Sequence, residues 1–107
     1  MDERRRFERI SIPNHARLYC EDRLGKRLGA VRMLGRGGLL LECNQQFRMG
    51  SVQELTLISE RDDIRRKLRL TARYITPEGV GFEFAALEPD AAVEIGVIIG
   101  KYYARAK

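Results

Sequence analysis

The densest chemistry in the sequence is the run Arg4-Arg5-Arg6-Phe7-Glu8-Arg9. Guanidinium is planar, permanently charged and able to donate two parallel hydrogen bonds, so arginines at both ends of a short extended spacer can grip one phosphate or two neighbouring ones. Read as structure alone, the same run is a solvated basic tail in which Glu3 and Glu8 neutralise part of the charge. A second element, Gly35-Arg36-Gly37-Gly38, has three glycines that permit positive φ and a tight reversal, and successive amides in such a turn can form an anion nest. It is not a P-loop, because no Lys-Ser/Thr pair follows and the turn leads into a strand. Catalytic chemistry is poorly supplied. His15 is the only histidine, no Ser/His/Asp or paired-carboxylate arrangement stands out, and Cys20 and Cys43 fall singly in apolar runs. They read as buried free thiols, so no catalytic site, metal site or cofactor is expected.

The elements that must position these groups come from one domain spanning residues 1–107, long enough for a single hydrophobic core. With 44% hydrophobic and 33% charged residues of mixed sign, the chain has the composition of a folded globular protein. Its net charge of +5 favours anionic partners. The arginines near the N-terminus leave no apolar leader segment, and the last apolar stretch carries Glu94 and Lys101, so neither a signal peptide nor a membrane span is expected and a cytoplasmic location is implied.

Strand signals follow the arm, which covers 1–14. The first strand is Ala16-Arg17-Leu18-Tyr19-Cys20, and the second is the imperfectly alternating Arg27-Leu28-Gly29-Ala30-Val31-Arg32-Met33-Leu34, which runs into the glycine turn. Leu39-Leu40-Leu41 reads as a strand covered on both faces, and Val52 to Ile58 as the next. In the fifth strand Leu68, Leu70, Ala72 and Tyr74 share the core face, opposite Arg69, Thr71, Arg73 and Ile75; Val80, Phe82 and Phe84 line the core face of the sixth. Six antiparallel strands over 15–87 closing into a small β-barrel remove unpaired edges, giving a mainly β fold with one C-terminal α-helix over 90–106 and a flexible basic N-terminal arm. Asp90 is placed as the helix N-cap. The helix is apolar nearly all round, through Val93, Ile95, Val97, Ile98, Ile99, Tyr102 and Tyr103. A small barrel covers only one side of such a helix. Gly96 and Gly100, which share a face, either let the helix lie tightly on its own barrel, leaving the excess apolar face to a protein partner, or admit the backbone of a second copy in a homodimer.

With the arm, the glycine turn and the strand order in place, the chain resembles the PilZ domain family, a bacterial module that typically binds cyclic di-GMP. The family's first motif, R-x-x-x-R, matches Arg5-Arg6-Phe7-Glu8-Arg9, with Arg4 as the extra arginine that often precedes it. Its second, Asp/Asn-x-Ser-x-x-Gly, aligns with Met33-Leu34-Gly35-Arg36-Gly37-Gly38, of which Gly38 alone matches. Gly50 and Gly79-Val80-Gly81-Phe82-Glu83-Phe84 also fit. The resemblance implies a ligand site made of Arg4, Arg5, Arg9, Met33, Gly35, Arg36 and Gly38. In the family the acidic or amide side chain at the position of Met33 bonds a guanine edge, and a serine stands where this chain has Gly35. Each hydrogen bond to a charged group is worth about 1.5–3 kcal/mol, so losing two such contacts weakens a site by about two to four orders of magnitude unless Arg36 or turn amides compensate.

Three readings follow. The first is a second-messenger sensor whose arm orders when Arg5 and Arg9 close on the phosphates of cyclic di-GMP. The second is a degenerate family member acting as a protein-interaction adaptor without nucleotide, favoured by Met33 and Gly35. The third, nucleic-acid binding through Arg65-Arg66-Lys67-Leu68-Arg69, is disfavoured: the chain lacks Trp and has only 7% aromatic residues for base stacking, and the basic run reads as the solvated face of a strand.

Overall fold

The structure is a computed structural model that describes residues 9–106, with side chains described as far as Tyr103. Arg4 and Arg5 therefore lie outside the described residues, whereas Arg9 and the end of the arm lie within them. Among the described residues seven strands form: β1 (Ile10–Ser11), β2 (Leu18–Glu21), β3 (Arg27–Leu34), β4 (Gly38–Glu42), β5 (Val52–Ser59), β6 (Ile64–Thr76) and β7 (Gly79–Ala86). The last element is α1 (Pro89–Ala106). The sheet order is β1-β3-β2-β5-β6-β7-β4, and β4 pairs back onto β3, so six antiparallel strands close into the expected barrel. The seventh, β1, comes from the segment assigned to the arm. It pairs outside the ring, Ile10 with Leu34 and Ser11 with Met33, because β2 pairs with β3 only between Arg27 and Ala30 and leaves that edge free at Met33 and Leu34.

Alternation builds the core. Ile10, Leu34, Leu39, Phe82 and Ala72 lie in one continuous cross-strand row, all buried in the same apolar cluster. The imperfect alternation of β3 has a local cause: the register shifts between Val31 and Met33, leaving Arg32 as the additional residue of a bulge. A second shift, between Ala72 and Tyr74, corrects the reading of β6. With Arg73 taken up by the bulge, Tyr74 pairs with Gly81 and turns to the outer face, away from the core row of Ala72 and Phe82.

The 35–38 turn also differs from expectation. It closes through Gly35 N–H to the Gly38 carbonyl at 2.9 Å, and the positive-φ glycines among the described residues are Gly25, Gly50 and Gly79, so this reversal needs no left-handed backbone. Cys20 is fully buried and Cys43 half-buried, both as free thiols; burial pushes Cys20 up to about 12.

In α1, Ala91, Ile95, Ile98 and Tyr102 recur at helical spacing and join the barrel core, with the helix lying against β1 and β6. Pro89 starts the helix and Asp90 sits inside its first turn, not before it as a cap; proline suits that position because the amide it lacks has no intrahelical partner there. Polar clasps fix the docking. Arg66 donates to Glu94 at 2.6 Å, Lys101 to Asp62 at 2.7 Å, and Ser59 to Asp62 at 2.7 Å. The bonds from Lys101 and Ser59 hold the Asp62 carboxyl below its ordinary range.

Candidate functional site

On the outer face, the strand register assembles a second row: Ser11 on β1, Met33 on β3, Leu40 on β4, Gly81 on β7 and Tyr74 on β6. Its neighbours in the chain, Leu34, Leu39, Leu41 and Phe82, all face the core, so the row faces out by the two-residue period of a strand. Leu40 is only 5% exposed although it does not belong to the core cluster. Beside this row Gly38 pairs with Glu83, whose carboxylate accepts from Arg73 at 3.0 Å.

Gly38 and Gly81 are required by close approach. A Cβ at position 38 would lie 2.0 Å from the Phe82 carbonyl oxygen and 2.9 Å from a guanidinium nitrogen of Arg9. At position 81 it would lie 2.2 to 2.5 Å from three ring carbons of Tyr74. The Tyr74 ring therefore rests on the bare backbone of Gly81, and the Arg9 guanidinium occupies space that a side chain on Gly38 would take. Arg9 donates to the Tyr74 hydroxyl and, at 3.2 Å, to the Phe82 carbonyl, with its guanidinium carbon 5.6 Å from the Tyr74 ring centroid. These partners are neutral, so the full positive charge of Arg9 stays available to an anion.

Of the residues singled out from the sequence, Arg9 and Gly38 are thus brought into contact. Met33 lies in the outer row, next to Leu40. Gly35 is buried and hydrogen-bonded across the hairpin, and Arg36 is exposed at its tip. Arg4 and Arg5 are outside the described residues. Sequence reasoning missed Tyr74, Gly81 and the Phe82 carbonyl: the bulge that turns Tyr74 outward has no signature in the residue types, whereas Gly81 between Val80 and Phe82 marked a place of close backbone approach.

Among the described residues no group of His, Cys, Asp and Glu is arranged to hold a metal. No described helix is long and apolar enough to cross a membrane. In the basic run of β6, Arg65 pairs with Glu21 at 3.1 Å and Arg66 with Glu94 at 2.6 Å; farther along the strand Arg73 pairs with Glu83 at 3.0 Å.

No curated protein matches the chain. A family model described as PilZ domain matches residues 3–100, a span that takes in the arm, the closed barrel, the glycine hairpin and most of α1. The outer face on which Arg9 meets Gly38 is therefore carried by a chain that belongs to the PilZ domain family.

Proposed function

We propose that the chain is a cytoplasmic second-messenger sensing module without catalytic activity. It binds cyclic di-GMP through Arg4, Arg5 and Arg9 of the arm together with Arg36 and the backbone of the 35–38 turn, and passes the event on as ordering of the arm. The observation that carries this reading is the seating of the Arg9 guanidinium in the space left by the missing side chain of Gly38, which joins the described ends of the two motifs on one face. Arginine bonds to phosphate are charge-assisted and account for most of the affinity. Met33 contributes apolar contact and a weak sulfur acceptor only, and Gly35 no hydroxyl. Titration calorimetry with cyclic di-GMP tests the reading. Wild type binds, and Met33→Asp with Gly35→Ser binds tenfold or more tightly, since about 1.4 kcal/mol is worth a decade.

The outer face of α1 supports a separate proposal, self-association. Val93, Val97 and Tyr103 are exposed there, and a Cβ on Gly96 or Gly100 would meet nothing within 4 Å. The glycines therefore do not serve packing of the helix on its own barrel. We propose a second copy of the chain as the occupant of this face, since paired glycines let two backbones approach closely. The dimer and the nucleotide site use different surfaces and are compatible.

A further inference from the structure

Between the Ser11 hydroxyl at one end and the Tyr74 hydroxyl at the other, the outer row of Ser11, Met33, Leu40, Gly81 and Tyr74 contains no side-chain hydrogen-bonding group but the weak sulfur acceptor of Met33. Reading the edge of a base needs such groups: guanine presents the donors N1–H and N2–H2 on its pairing edge, which a carboxylate or amide oxygen accepts, and adenine presents a different pattern. The carboxylate beside Gly38 belongs to Glu83 and is held by Arg73 at 3.0 Å. The Tyr74 hydroxyl is itself engaged by Arg9.

What the face offers instead is an aromatic plane. One side of the Tyr74 ring lies on Gly81, and the residue is 42% exposed, with the Arg9 guanidinium bonded at its hydroxyl edge and not covering the ring centre. A ring backed by protein on one side and open on the other is a stacking platform, and stacking tolerates any base because every base has a π-face. The neighbouring guanidinium takes the phosphate that a base stacked there would bring with it.

We propose that Tyr74 is a base-stacking platform, and that this face recognises a cyclic dinucleotide by its phosphates and base planes rather than by its base edges, so that it accepts cyclic di-AMP about as well as cyclic di-GMP. This rests on the reading of the face as a cyclic dinucleotide site.

The test is calorimetric titration of the full chain with cyclic di-GMP and with cyclic di-AMP, in wild type and in Tyr74→Phe, Tyr74→Leu and Tyr74→Ala, each checked for an unchanged circular dichroism spectrum. The expected result is that the two ligands bind wild type within about threefold of each other. Tyr74→Phe stays within about threefold of wild type, and Tyr74→Leu, which keeps bulk over Gly81 without a ring, loses about tenfold or more for both ligands, as does Tyr74→Ala. A preference for cyclic di-GMP of tenfold or more overturns the inference while the cyclic dinucleotide reading stands. So does wild-type affinity in Tyr74→Leu, or a tenfold loss in Tyr74→Phe, which transfers the role from the ring to its hydroxyl. Absence of binding by either ligand overturns the cyclic dinucleotide reading and this inference with it.

Discussion

A single methyl group separates glycine from alanine, and at position 38 it has nowhere to go. Gly38→Ala sets that methyl against the Phe82 carbonyl, which belongs to backbone and cannot swing aside, and is expected to destabilise the barrel by about 1–3 kcal/mol in denaturant melts. Gly81→Ala meets the ring of an exposed tyrosine, which can move; it should cost less than Gly38→Ala and show instead as displacement of the Tyr74 ring resonances. Thiol chemistry separates the two cysteines. With Cys20 buried and its thiol pushed up to about 12, Cys43 should be labelled first by a thiol reagent at pH 8, and Cys20 only on unfolding. At this scale the residue types were informative for Gly38 and for Cys20, whereas Cys43, expected to be buried, is only half-buried. They misplaced Tyr74, because strict alternation along β6 carries it to the core face and only the bulge at Arg73 shifts it by one position.

Among the elements, α1 was the most legible and the most ambiguous. Its apolar residues run nearly all round the helix, so the sequence marked a helix covered on more than one side without saying which side meets the barrel. The structure assigns Ala91, Ile95, Ile98 and Tyr102 to the core and leaves Val93 and Val97 outside. Ile98→Glu would therefore bury a charge in the barrel and unfold it, whereas Val97→Glu probes the outer face alone. A homodimer is expected in analytical ultracentrifugation at micromolar concentration and should be converted to monomer by Val97→Glu with the fold intact; monomer mass at every wild-type concentration would contradict it. The clasp that docks α1 has its own pH signature. Because the folded-state pKa of Asp62 is depressed, its contribution is fully present above the ordinary carboxylate value of 3.8 and is lost as pH falls through the lower folded value. Asp62→Asn should thus cost about 1 kcal/mol at pH 7, with the difference from wild type closing below about pH 4 in parallel melts.

For the whole molecule, closure is what makes the face. The residues that meet there come from the arm, β1, β3, β4, β6 and β7, and they become neighbours because β4 pairs with both β3 and β7. Six strands in the right order were readable from alternation and turns, although β6 is longer than read, and a closed barrel was the economical way to pair their edges. Register was not readable, since the shifts that set it, at Cys20/Glu21, Val31/Met33, Arg69/Leu70 and Ala72/Tyr74, carry no signature in the residue types. The short strand β1 was also missed, two residues being too few to show a period. That strand lies between Arg9 and the rest of the barrel and also contacts α1, so arm, face and helix share one small element. The account's central claim is that arm arginines capture cyclic di-GMP against this face. Its most direct test is titration calorimetry of wild type beside the Arg5→Ala/Arg9→Ala double variant: saturable binding by wild type, none by the variant and identical circular dichroism are expected, and binding of wild-type strength in the variant would contradict the claim.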